Sequence, residues 1–197
     1  MKALVLALSL WLIGILSFSQ CAKDSGIEVY VPSEEEKQHL KYLREEEYLA
    51  GDVYEYFSDL YDIPIFRNIS KSEDVHTDRV KLLLKRYQVE DPAINHEKGK
   101  YQDSELQKLY DSLIKKGSSS LDSAIVVGLM IEEKDIMDLQ HALDNIVKAE
   151  DIRAVYTALK RGSANHLRAF NFHAERRNIT YTPKFLSNEV FCQVLEK

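Results

Sequence analysis

The sequence predicts an all-α fold, four long helices packed as a bundle, and three observations predict it. Glycine and proline are scarce, seven and four among 197 residues, about half the combined share of an average protein. Apolar residues recur at steps of three and four over long windows, which is the period of an amphipathic helix. The regular turn signals that a β-sandwich or barrel requires are missing. With 45% hydrophobic and 29% charged residues, the chain is globular rather than disordered.

The chain opens on Lys2 and an apolar run from Ala3 to Phe18. That run is too short for a spanning helix and reads as a signal peptide over residues 1–20. Two processing routes stay open. Ser17-Phe18-Ser19 is a small-x-small cleavage site that leaves Gln20 first. Alternatively, Cys21 is the lipidated cysteine of a bacterial lipoprotein, attached to the membrane through a polar tether over residues 21–33. Either route exports the protein, to the periplasm, to the outer membrane as a lipoprotein, or to the medium. Cys21 and Cys192 are the only cysteines, so a tethered or lipidated Cys21 leaves no internal disulfide.

Residues 34–197 form the helical domain. Ser33 with Glu36 fits a capping box. A stripe of Leu40, Leu43, Ala50, Tyr54, Phe57 and Tyr61 follows, until Asp62-Ile63-Pro64 ends the first helix. The second stripe, Phe66, Ile69, Val80, Leu83 and Tyr87, stops before Asp91-Pro92. The short link makes these helices antiparallel neighbours. A long connection over residues 89–118 carries one short helix, capped by Asp103 or Ser104 and ended by Gly117. After Ser118-Ser119-Ser120 the third stripe runs Leu121, Ile125, Gly128, Leu139, Ala142 and Ile146. A break near residues 148–150 leads to the fourth: Ile152, Val155, Leu159, Gly162 and Ala169. Past Arg177 come a polar turn and a short terminal helix with Ser187 as its cap. Two hairpins joined by a long crossover make the ferritin-like variant of the four-helix bundle.

The net charge of −6, and the lack of a basic cluster interleaved with aromatics, argue against a nucleic-acid partner. No glycine-rich phosphate loop occurs either. Chemistry is carried by the gaps in the stripes. The same steps place Glu47 on the inner face of the first helix, and Glu73 and His76 on that of the second. They place Glu132 and Asp135 on the third, and His166 on the fourth. Buried carboxylates are costly unless paired or metal-bound. Carboxylates with imidazoles are ligands for iron, manganese or zinc. Glu132 and His166 are centred on residue 149, and Glu47 and His76 on the first turn, so all four helices bring these groups to a similar height.

Alternatives stay open at this level. Glu46 competes with Glu47, and Glu133 with Glu132. Asp135 is either a ligand or a partner of His166, and His166 is either a ligand or a core histidine. Tyr54 and Tyr156 are either core residues or hydrogen-bond donors to ligands. The runs Glu34-Glu35-Glu36 and Glu45-Glu46-Glu47 read as mostly solvated faces. Gly51, Gly128 and Gly162 each lie one turn from a candidate ligand, which suggests close packing there.

Glu47 with Ala50 and Tyr54, Glu73-x-x-His76, Glu132 and His166 together resemble the ferritin and rubrerythrin di-iron pattern. The segments Arg44–Glu47, Ser72–His76, Ile131–Ile136 and Gly162–Phe170 are more similar still to the ferritin-like family catalogued as domain of unknown function 2202. That resemblance covers about residues 36–192. The family resemblance implies no established activity; the ferritin and rubrerythrin pattern implies a centre of two iron ions, with manganese or zinc as alternatives, and oxygen, peroxide or ferrous ion as reactants. Glu73 and Glu132 would bridge the two ions, and Glu47, His76 and His166 would be terminal ligands. Ser163 stands where the di-iron pattern has a glutamate. That departure motivates the other expectation, an exported helical binding or structural module without catalytic metal chemistry. Rubredoxin-type cysteine pairs are absent from the sequence, so electrons would come from outside or from the metal. The sequence carries no evidence on oligomeric state.

Overall fold

The computed structural model describes residues 30–196, so the signal peptide, Cys21 and most of the leader lie outside the described residues. Its elements are α1 (Glu34–Tyr61), α2 (Pro64–Arg86), α3 (Ser104–Gly117), α4 (Leu121–Asn145), α5 (Glu150–Arg176) and α6 (Asn188–Leu195). Local chemistry explains their limits. Ser33 and Glu36 form the capping box of α1, satisfying two otherwise unpaired backbone donors. Asp62 takes the left-handed conformation that ends α1, and Pro64 opens α2 at its first position, where its missing N–H costs nothing. Asp103, Ser120 and Ser187 cap α3, α4 and α6. α2 ends at Arg86, earlier than Asp91 requires, because Gln88 turns left-handed at φ 54°.

Cross-helix pairs give the topology. Glu132 faces His166, Asp135 faces Ser163, and Phe170 packs at Gly128. Each pair is centred on residue 149, so α4 and α5 are antiparallel. Glu47–His76 and Arg44–Thr77 establish the same for α1 and α2. Tyr42–Asp138 and Glu46–Lys134 set α1 antiparallel to α4, and His166–Ser72 sets α5 antiparallel to α2. The four long helices therefore run up, down, down, up. The crossover over residues 87–120 must travel the length of the bundle, and α3 within it packs on α1 and α4.

Two apolar clusters fill the bundle. One holds Phe57, Phe66, Leu129 and Phe170; the other holds Leu43, Val80, Leu139 and Leu159. On α1, α2 and α5 the candidate ligands fall between them, and on α4 they lie at the edge of the first, just before Leu139 of the second, so the centre is a polar layer sandwiched by core. One stripe is rotated from expectation. On α5 the buried side chains are Ile152, Tyr156, Leu159, Ser163, His166, Leu167, Phe170 and Ala174, while Val155, Gly162 and Ala169 sit at the flank. Steps of three and four permit either line, and the larger rings of Tyr156 and Phe170 claim the interior because they bury more apolar surface.

The two glutamate runs differ: Glu34 and Glu35 are exposed as expected, whereas Glu36 and the whole run Glu45-Glu46-Glu47 are not solvated. Glu36 is fully buried, accepting from the Tyr30 hydroxyl at 2.6 Å and from Lys148 N at 2.7 Å. It ties the start of α1 to the α4–α5 turn. Glu45, Glu46 and Glu47 are all buried as well. Three consecutive residues span about 200° of a helix surface, and each finds a different partner. Glu45 accepts from the backbone N–H groups of Gln102 and Asp103, at 2.5 and 3.0 Å, and anchors the crossover. Glu46 pairs with Lys134 of α4 at 2.7 Å. Glu47 turns inward.

Candidate metal centre

Glu47 of α1, Glu73 and His76 of α2, Glu132 of α4 and His166 of α5 converge in the polar layer, none more than 9% exposed. Among the described residues they form two groups able to hold a metal ion, Glu47–Glu73–His76 and Glu73–Glu132–His166, with ligand atoms within 4.8 Å of one another in each. Glu73 belongs to both. Its Oε2 lies 2.6 Å from His76 Nδ1 and its Oε1 lies 2.8 Å from His166 Nδ1. Glu47 Oε2 stands 3.2 Å from His76 Nδ1, and Glu132 Oε2 stands 3.5 Å from His166 Nδ1. The two imidazoles lie nearly parallel, 5.6 Å apart between centroids.

Neighbours hold these side chains. Tyr54 donates its hydroxyl to Glu132 Oε1 at 2.5 Å, so Glu132 turns only its other oxygen toward His166. Of the two glutamates expected to bridge, Glu73 belongs to both groups and Glu132 to one. Phe170 packs against Tyr54 at 5.2 Å, and reaches it because Gly128 has no side chain: a Cβ there would lie 2.4 Å from the Phe170 ring. The outer nitrogen of His166 lies 3.0 Å from Ser72 Oγ, which orients the ring. Gly162 gives His76 its space, since a Cβ there would lie 2.6 Å from His76 Nε2.

Asp135, the sixth candidate, enters neither group. It is buried beside Ser163, whose hydroxyl bonds to it. Burial, and then the charges of Glu47 and Glu46, push its carboxyl well above the usual range. Glu46 is held by Lys134. Glu133 faces away, accepting the N–H groups of Lys184, Phe185 and Leu186 at 2.9 to 3.1 Å and pinning the C-terminal segment to α4. The open choices between neighbouring glutamates thus resolve to Glu47 and Glu132 at the centre. Sequence reading did not find Ser72 at all. Tyr54 was legible as either a core residue or a donor to a ligand, and the structure places it as the donor to Glu132.

The electrostatics follow from burial and crowding. Burial alone would lower the histidines, but Glu47 and Glu73 raise His76 to about 11, and Glu132 and Glu73 raise His166 to about 10. Burial pushes Glu47 and Glu132 up, whereas the two histidines outweigh burial at Glu73 and hold it low. Three carboxylates and two imidazoles are a donor set suited to iron, manganese or zinc. Glu47 Oε1 and His166 Nδ1 are buried without a hydrogen bond. His166 Nδ1 approaches Glu73 Oε1 closely yet off the hydrogen-bond line, as two ligands converging on one ion do. The residues fit a pair of divalent cations.

Comparison with known proteins adds kinship. A family model described as "Uncharacterized protein domain (DUF2202)" matches residues 36–197. The uncharacterized protein MJ0754 of Methanocaldococcus jannaschii is 40% identical over 163 residues, 83% of this chain and 88% of the relative. The crystal structure of hypothetical protein MJ0754 from Methanococcus jannaschii superposes with a TM-score of 0.83 at 38% identity, covering 88% of this chain and 98% of that one. This helical bundle, with its buried layer of glutamates and histidines, belongs to the DUF2202 family.

Proposed function

We propose that the bundle binds two divalent ions of iron or manganese type between its four long helices and uses them in redox chemistry on oxygen, peroxide or ferrous ion. The observation that carries this reading is Glu73, whose two oxygens each face a different histidine and divide five side chains into two groups that share it. Bound there, such a metal pair would supply the change of oxidation state that redox chemistry on oxygen, peroxide or ferrous ion requires. The chain's own residues would do the rest. Glu47, His76 and His166 hold the ions, Tyr54 fixes Glu132, and Ser72 orients His166. A cavity of about 20 Å³ beside the carboxylates, walled by Leu49, Ala50, Leu113, Met130 and Ile131, has room for one small molecule. The export leader supports a setting outside the cytoplasm.

Elemental analysis of the purified chain after anaerobic loading with ferrous or manganous ion tests the reading. The wild type is expected to hold two ions per chain. Glu73→Ala is expected to hold none tightly, and Asp135→Asn is expected to keep two. A wild type without metal, or Glu73→Ala with two tight ions, overturns it. The reading of a helical module without metal chemistry, which Ser163 at the expected glutamate position favours, would then stand.

A further inference from the structure

Two openings reach the polar layer, and they differ in size. The small cavity just described joins apolar side chains to the carboxylates of the layer. A cleft of about 370 Å³ lies between α1 and α2 under the crossover. Glu47 and Glu73 are at its floor, Glu55 and Asp74 on its α1 and α2 walls, and Asn95 and Lys98 on its roof. Lys98 pairs with Glu55 at 2.5 Å. Building on the two-ion reading above, we propose that this cleft is the path by which a divalent cation enters the centre, with Glu55 and Asp74 as transit carboxylates and Lys98 as a latch across the mouth.

A divalent cation dehydrates reluctantly and needs oxygen donors along its way. Carboxylates line both openings, but the cavity of about 20 Å³ cannot pass a hydrated ion, whereas the cleft has the volume to do so. The cleft also ends on a ligand atom. Glu47 is 2% exposed, lines the cleft, and has Oε1 without a hydrogen-bond partner. Gly51 leaves the α1 wall open at that level: it lines the cleft, and a Cβ there would already touch Glu73 Cβ at 3.4 Å. Of the other basic side chains lining the cleft, Arg44 is committed to Asp91 and to the Thr77 carbonyl and His96 to Asp52; Lys98 differs from Lys81 in being paired with a transit carboxylate, Glu55, which makes it the latch.

Stopped-flow absorbance with cobaltous ion as the probe tests the path in the full mature chain. In Glu55→Gln/Asp74→Asn the association rate is expected to fall about tenfold and to lose most of its salt dependence. Release to a chelator is expected to slow by the same factor, with two ions still bound at equilibrium, because a transit group changes rates and not the end states. Lys98→Gln is expected to speed entry, and Gly51→Leu to slow it. Glu189→Gln, on α6, removes a similar charge elsewhere and is expected to change nothing. Wild-type rates in the double variant, or an equal effect in Glu189→Gln, overturn the path while leaving the centre intact. A wild type that binds no cobaltous ion overturns the centre itself.

Discussion

Substituting Gly162 by alanine separates packing at the centre from general stability. The added Cβ would lie 2.6 Å from His76 Nε2 and 2.7 Å from Cε1. The obstacle is a ring held on its far side by Glu73 at 2.6 Å and Glu47 at 3.2 Å. The ring cannot retreat straight into those carboxylates, so to restore ordinary contact near 3.4 Å it must swing aside by about 0.8 Å and away from them. Ligand geometry tolerates about 0.2 Å, so metal affinity is expected to fall at least 10- to 100-fold, the loss typical of disturbing a ligand's support. Fold stability moves less. Alanine gains roughly 1 kcal/mol in a helix over glycine, against about 1–3 kcal/mol for overpacking. Gly51→Ala is the control, since its Cβ meets Glu73 Cβ only at 3.4 Å. Calorimetric titration with manganous ion measures affinity, and NMR titration of the metal-free protein measures the His76 imidazole. That group is expected to drop from about 11 toward its usual value as it leaves its carboxylates. Wild-type affinity and imidazole titration in Gly162→Ala, or an equal loss in Gly51→Ala, would refute the reasoning.

Two further predictions concern charge. Without metal, the folded state holds protons that the unfolded chain has released: on Glu47 and Glu46 up to about pH 7 and 8, and on the two histidines up to about 10 and 11. The metal-free protein is therefore expected to lose stability as pH rises from 5 to 9. Below pH 4.5 the low carboxyl of Glu73 reverses the slope. Bound metal replaces those protons, so its stabilising increment is expected to grow with pH; thermal melts at pH 5, 7 and 9 with and without chelator check both, and a flat metal-free series refutes the account. At pH 9, where Glu46 is ionised beside its cation, Lys134→Met is expected to cost about 3–5 kcal/mol, because it leaves that carboxylate buried and unpaired. Adding Glu46→Gln is expected to recover most of that in urea melts, and failure of the rescue would assign the loss to packing.

Much of this molecule was legible in one dimension because its helices are long and their punctuation is local. Ser33 with Glu36, Asp62 with Pro64, Asp103, Ser120 and Ser187 mark helix ends through hydrogen bonds and backbone limits within a few residues. The gaps in the apolar stripes located the polar layer, since a period of 3.6 converts spacing into a face, and the symmetry of Glu132 and His166 about residue 149 set its height. Spacing could not choose among adjacent glutamates or between the two lines of α5. Glu45, Glu46 and Glu47 differ by about 100° each, and all three are buried. What separates them arrives from elsewhere in the chain: crossover N–H groups for Glu45, Lys134 for Glu46, and His76 for Glu47. Glu133 likewise is taken by the C-terminal segment and Glu132 by Tyr54. The sequence by itself determined four helices and the level at which charge enters their core. Only the tertiary structure decided which carboxylate meets which partner, because a buried charge takes its role from the groups that other elements bring to it.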